Sequence, residues 1–172
     1  MNFENFDAVL DVVKTRFADL KSAYDKHRIV KTKKQLSEDV SALFETAMED
    51  VYTNVVAPKK DSEPDIYMDG IPVEIKTTKG EDWTGGEYSK RPSQYLLVAW
   101  EDVGQDTRFF VANLYLKEED WKSSKSDKYY GTNFSKKDII SRIENQKDVD
   151  ILSGEIYSYN RGKQKCIKVI KT

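Results

Sequence analysis

The chain has 172 residues, 38% of them hydrophobic and 34% charged, with a formal net charge of −2. That is enough for one domain with a real core and too little for two comfortable ones. The single cysteine, Cys166, excludes an intrachain disulfide and fits a reducing compartment. No apolar run approaches the length of a membrane span. Met1-Asn2-Phe3-Glu4 opens an acidic amphipathic segment rather than a basic stretch followed by an apolar one, so no secretory signal is expected. The protein is expected to be soluble and cytoplasmic. Net charge does not advertise a nucleic-acid binder, but cations are segregated: Lys26, His27, Arg28, Lys31, Lys33 and Lys34 form one basic run, and Lys122 to Lys137 and Arg161 to Lys171 form two more. Acid concentrates in residues 38–50 and 101–120. Such segregation builds basic surfaces on a globally acidic protein, although each run taken alone also suits a solvated face.

In chain order, Phe3, Phe6, Val9, Leu10, Val13 and Phe17 recur at spacings of three and four, which predicts a helix over residues 3–25. A basic connection over 26–34 precedes a second helix from about Ser37, the expected N-cap, with Val40, Leu43, Phe44, Ala47 and Val51 on one stripe. Val55-Val56-Ala57 reads as a short strand ended by Pro58, and 59–63 as a polar loop. Residues 80–92 read as a loop containing Trp83 and Tyr88. Gln94 to Trp100 is a near-continuous apolar run, as a strand buried on both faces requires. Phe109 to Leu116 is a further strand, and residues 117–121 a helical turn. Residues 123–132 read as a Ser/Lys/Gly-rich loop, and 134–143 as a helix capped by Ser135. Ile156 to Tyr159 and Cys166 to Ile170 suit a terminal hairpin. The order implies one α/β domain, a sheet covered by helices.

The most informative stretch is Asp65 to Lys76. Asp69-Gly70 lies between two alternating apolar runs, the strongest short-range signal for a two-residue hairpin turn. With that turn, Met68 faces Ile71, Tyr67 faces Pro72, Ile66 faces Val73 and Asp65 faces Glu74. One face carries Ile66, Met68, Ile71, Val73 and Ile75; the other carries Asp65, Tyr67, Pro72, Glu74 and Lys76. Like charges directly opposite are destabilising, and Asp65 and Glu74 fall at a non-hydrogen-bonded position with Cα atoms about 4.5 Å apart. A divalent cation would offset the repulsion, and hard carboxylate oxygens suit Mg²⁺. Pro72 is tolerable because its missing N–H would point away from the hairpin partner.

Pro64-Asp65, eight intervening residues, then Glu74-Ile75-Lys76 resembles the core signature of the PD-(D/E)XK nucleases, a superfamily that includes most type II restriction endonucleases, Holliday-junction resolvases and several repair and phage nucleases. The resemblance covers about Leu36 to Trp100. It implies a restriction-endonuclease-like α/β fold, a mixed central sheet of four to five strands flanked by helices. The family often adds an acidic residue from the helix before the sheet. Ser41-Ala42-Leu43-Phe44-Glu45 resembles its Gly-x-x-Phe-Glu pattern, with Ser in place of Gly, and so points to Glu45; Glu38 competes, its separation from Asp65 being closer to that in resolvases.

The resemblance implies Mg²⁺-dependent hydrolysis of double-stranded DNA, with Mn²⁺ an expected substitute. Asp65, Glu74, the Ile75 carbonyl and Glu45 would hold one or two ions, and Lys76 would orient the attacking water and stabilise developing charge. Lys79, Lys90 and Arg91 are expected at DNA phosphates or bases. His27 has no nearby ligand partner and reads as a surface residue, and Cys166, in an apolar-alternating strand, reads as a buried thiol rather than a nucleophile. A homodimeric type II restriction endonuclease is the first expectation, a structure-specific nuclease the second, and a non-catalytic DNA-binding module with the same fold the third.

Overall fold

The computed structural model describes residues 1–58, 64–85, 92–126 and 129–158. Helices α1 (Phe6–Lys26) and α2 (Lys33–Val51) follow the apolar periodicity, burying Phe6, Val9, Leu10, Val13 and Phe17 on the first and Val40, Phe44, Ala47 and Met48 on the second. The start of α2 differs from expectation. Thr32, not Ser37, is the N-cap: its hydroxyl accepts the Gln35 N–H at 3.2 Å, and Gln35 Oε1 accepts the Thr32 N–H at 2.9 Å. This reciprocal capping box satisfies two helix-end donors. Ser37 works inside the helix instead. Its carbonyl accepts the Thr77 hydroxyl at 2.6 Å and its hydroxyl accepts the Trp100 Nε1–H at 3.3 Å.

The strands are β1 (Val55–Val56), β2 (Ile66–Met68), β3 (Ile71–Thr78), β4 (Asp82–Gly85), β5 (Ser93–Val103), β6 (Asp106–Leu116), β7 (Lys122–Ser126), β8 (Tyr129–Ser135) and β9 (Asp150–Ser153). Among the described residues they form a six-stranded sheet of order β1-β2-β3-β5-β6-β9 and a three-stranded sheet of order β4-β8-β7. The β3–β5 pair is parallel and the other neighbours in the large sheet are antiparallel. The protein is therefore α/β with a mixed sheet flanked by helices; among the described residues that sheet has six strands, where four to five were expected. One face packs on α1 and α2 through Leu96, Val98, Trp100 and Val111. The other packs through Tyr95, Leu97, Ala99 and Ala112 against the small sheet and α3 (Lys136–Glu144). Burial on both faces is why β5 has no polar alternation.

Two segments expected as loops contain strands. Residues 80–92 contain β4, whose Trp83 is fully buried and donates its Nε1–H to the Val98 carbonyl at 2.9 Å. Residues 123–126 and 129–132 belong to β7 and β8, paired from Lys122↔Asn133 to Ser126↔Tyr129. Ser, Lys and Gly carry little strand preference of their own, and the main-chain ladder with β4 and β7 overrides it. The turn at Glu118–Asp120 and the Ser135 cap of α3 match expectation. The expected terminal hairpin lies mostly outside the described residues. No helix among them is long and apolar enough to cross a membrane.

Two glycines with left-handed backbones differ in what surrounds them. Gly70 in the hairpin turn has φ +75° and open space where a Cβ would lie; Gly154 has φ +79°, and its Cβ would sit 2.0 Å from the Phe109 carbonyl oxygen. Gly70→Ala therefore meets only the backbone penalty, about 1–2 kcal/mol, whereas Gly154→Ala must also displace a strand and costs about 3 kcal/mol or more. Urea unfolding of the two variants measures this; equal losses would contradict the packing at Gly154.

Candidate active site

The hairpin has the register read from its sequence: Ile66↔Val73, Tyr67↔Pro72, Met68↔Ile71. Asp69 and Gly70 both have positive φ, 53° and 75°, as a type I′ turn requires. Ile66, Met68, Val73 and Ile75 are buried against the helices, while Ile71 at the tip stays 43% exposed. Asn54 ties the turn to the chain leaving α2: its carbonyl accepts the Asp69 N–H at 3.0 Å, and its Nδ2 donates to Asp69 Oδ1 at 2.7 Å. Pro72 loses no ladder bond, because the parallel pairing with β5 begins one residue later at Val73↔Gln94.

The β2–β3 ladder ends at Ile66↔Val73. Asp65 does not continue it opposite Glu74. Its Oδ2 instead accepts the Ile75 N–H at 2.6 Å, so a side chain takes the place of a strand partner. In a strand the N–H and C=O of one residue leave on the same edge, so the Ile75 carbonyl also leaves toward Asp65. Glu74 and Lys76 project together from the opposite pleat to Ile75, with Lys76 Nζ 3.3 Å from Glu74 Oε2.

Helix α2 supplies Glu45. Burial, then the carboxylates of Asp65, Glu49 and Glu74, push its carboxyl up to about 7 against the opposing ammonium of Lys76. Glu45, Asp65, Glu74 and Lys76 thus share one electrostatic environment. Glu38, the competing helix acid, is exposed and pairs with Lys34 at 3.9 Å. Lys79 lies over the Trp100 ring, 4.5 Å from its centroid, and is bound to Asp102, which also holds Lys21 at 3.0 Å. Burial alone would raise the Asp102 carboxyl; the Lys79 and Lys21 ammonium groups outweigh it and hold it below its ordinary range. Lys90 and Arg91 lie outside the described residues. Trp83, expected beside them in a loop, is core.

Sequence reasoning missed two neighbours of this site. Glu49 is one turn beyond Glu45, a signal that i, i+4 spacing offers. Tyr95 is buried beside Glu74 in the parallel ladder, and burial followed by the Glu74 carboxylate pushes its hydroxyl above its ordinary range. No local pattern assigns a parallel register, so Tyr95 reads only as core in the sequence. A groove of about 440 Å³ runs from Lys76 along Thr77 and Lys79 to Ser37, Lys34 and Lys33 at the start of α2. A second cavity, about 720 Å³, opens between α1 and the β5–β6 turn and touches none of the carboxylates above.

The donor set suits a hard cation. Two carboxylates and a backbone carbonyl, with water completing the shell, is how Mg²⁺ is ordinarily held, and added positive charge would offset the burial and the like charges that raise Glu45. Among the described residues no three His, Cys, Asp or Glu side chains form a ready-made metal cage; a site completed by water does not need one. No known family model matches the chain, and no curated protein matches its sequence.

The Glu45 carboxyl gives a pH test. A carboxyl raised from 4.5 to about 7 on folding takes up a proton in the folded state first, so its favourable contribution is complete below about 4.5 and is lost as pH rises through about 7. In EDTA, stability should fall over that window by on the order of 1 kcal/mol more in the natural chain than in Glu45→Gln, allowing for solvent screening of a half-buried group. Denaturation at stepped pH values measures the difference; parallel pH profiles would contradict the crowding of Glu45.

Proposed function

We propose that the chain is a Mg²⁺-dependent DNA endonuclease of the PD-(D/E)XK kind, with a restriction-endonuclease-like fold, acting as a homodimeric type II restriction enzyme on a short duplex site. One juxtaposition carries the reading: Asp65 held on the Ile75 N–H at 2.6 Å, with Glu74, Lys76 and Glu45 in the same electrostatic environment. Asp65, Glu74 and the Ile75 carbonyl would hold the cation, with Glu45 behind them. Bound there, Mg²⁺ would supply positive charge to the scissile phosphate and acidify a coordinated water.

The side chains have separate tasks. Asp65 is pre-oriented by its bond to the main chain, so little rotamer freedom remains to be lost on loading. Lys76 is a compact donor of three hydrogen bonds. Its present partner is the Glu74 carboxylate; with that carboxylate turned to a cation, the ammonium is available to orient the attacking water and to stabilise charge developing on the phosphate oxygens. Burial and the surrounding carboxylates push the Glu45 carboxyl up to about 7; a cation held by Asp65 and Glu74 would lower it and leave a carboxylate at the edge of the site.

Incubation with supercoiled plasmid, linear duplex and branched DNA in Mg²⁺ tests this. The expected result is discrete cleavage of plasmid; selective cutting of branched DNA would instead mark a structure-specific nuclease. Lys76→Ala should lower the single-turnover rate by at least 10²-fold with DNA affinity within about threefold of the natural chain. Full activity in that variant would overturn the assignment of Lys76, and no cleavage of any substrate by the natural chain would overturn the nuclease reading.

A further inference from the structure

The connection between α1 and α2 is unusual in composition and in backbone. Residues 26–34 read Lys-His-Arg-Ile-Val-Lys-Thr-Lys-Lys, without one acidic residue. Lys31 is held over the Tyr24 ring at 4.8 Å and within 3.7 Å of Asp39. Lys34 makes only an exposed contact with Glu38 at 3.9 Å, a kind of pair that contributes little. Lys26, His27, Arg28 and Lys33 are exposed, with no carboxylate partner among the described residues.

The connection is nevertheless shaped by its main chain. The Arg28 N–H bonds the Asp25 carbonyl at 3.1 Å, and the Ile29 N–H bonds the Tyr24 carbonyl at 2.8 Å. These are the two bonds of a Schellman helix end, whose left-handed residue is ordinarily glycine. Here that residue is Arg28, at φ 55°. A cation thus occupies a position where glycine would meet no steric penalty. The turn holds Ile29 47% exposed and Val30 93% exposed. Val30 gains almost nothing from burial in the fold, and Ile29 only part of what its side chain offers.

Lys33 and Lys34 line the same groove as Lys76, and Val30, three residues before Lys33, lies within about 10 Å of it by chain reach. We infer that this connection docks duplex DNA, its cations seating backbone phosphates leading to the Lys76 groove and Ile29-Val30 pressing against the base stack as a wedge. A surface that joins unpaired cations to exposed β-branched residues suits a polyanion with apolar faces between its charges. Apolar wedges flanked by Lys and Arg are how proteins unstack and bend a duplex. The docking rests on the nuclease reading only for what happens once the DNA is seated.

The test is binding in EDTA, where cleavage plays no part, to a duplex carrying 2-aminopurine, followed by anisotropy and by base fluorescence over a salt series. The double variant Arg28→Gly/Lys33→Ala should lose about tenfold in affinity and flatten the slope of log K against log salt by about 1.8, for two phosphate contacts at about 0.9 each. Its thermal midpoint should not fall, because glycine suits the Arg28 backbone and Lys33 is exposed. Val30→Ser should keep affinity within about threefold and remove the rise in 2-aminopurine fluorescence that marks unstacking. Unchanged affinity and slope in the double variant, or no duplex binding by the natural chain, would overturn the docking. An unchanged fluorescence rise in Val30→Ser would overturn the wedge. Tighter binding to phosphatidylserine vesicles than to DNA would assign the surface to a membrane instead. Connection-sensitive binding without cleavage in Mg²⁺ would sink the nuclease reading and leave the docking standing; cleavage with connection-insensitive binding would do the reverse.

Discussion

Asp65 accepts the Ile75 N–H at the point where the β2–β3 ladder stops, and the geometry of the candidate site depends on that bond. A hairpin continued by one more pair would set two carboxylates directly opposite at the closest spacing an antiparallel sheet offers. The chain avoids this by ending the ladder and letting a carboxylate oxygen replace the missing main-chain acceptor. The N–H stays satisfied, the Asp65 side chain is fixed beside β3, and the neighbouring carbonyl edge stays outside the β2 ladder. An electrostatic conflict written into the sequence is relieved without removing either carboxylate.

That arrangement would be loose without the elements around it. The Thr77 and Trp100 side chains bind Ser37 from β3 and β5 and seat the first half of α2 on the sheet. Eight residues further on, about 12 Å along the helix axis, Glu45 comes within electrostatic reach of the Asp65 carboxylate. Asn54 fixes the hairpin tip to the far end of the same helix. Helix and hairpin are thus tied at both ends, and β5, buried on both faces, gives them a stiff base. The acid that α2 contributes is half-buried among like charges, so its carboxyl rises to about 7, a response to crowding that a cation would reverse.

Much of this was legible from residue order, where the governing physics is local. The Asp-Gly turn specifies the register of six residues, the period of α1 specifies its buried face, and Ser135 with Asp138 specifies the start of α3. Glu45 follows Phe44 in the sequence, and the fold sets it in the same electrostatic environment as Asp65 and Glu74. What sequence reading missed is set by distant partners. Ser37 looks like a cap, but Thr32 with Gln35 makes the better box. Trp83 looks like a loop aromatic until the β8 ladder folds it under β5. The β7–β8 pair has the composition of a loop and becomes sheet because β4 offers it an edge. Tyr95 stands beside Glu74 only through a parallel register, which has no local signature.

The central claim is that the end of this hairpin is a cation site. Titration of the chain with Mn²⁺ at pH 8, read by electron paramagnetic resonance, tests it most directly in comparison with Asp65→Asn/Glu74→Gln. Asn keeps an oxygen for the Ile75 N–H, so the variant removes charge without removing that bond. The account predicts saturable binding of one or two ions to the natural chain, weakened at least tenfold in the double variant. Equal binding by both proteins, or none by the natural chain, would contradict it.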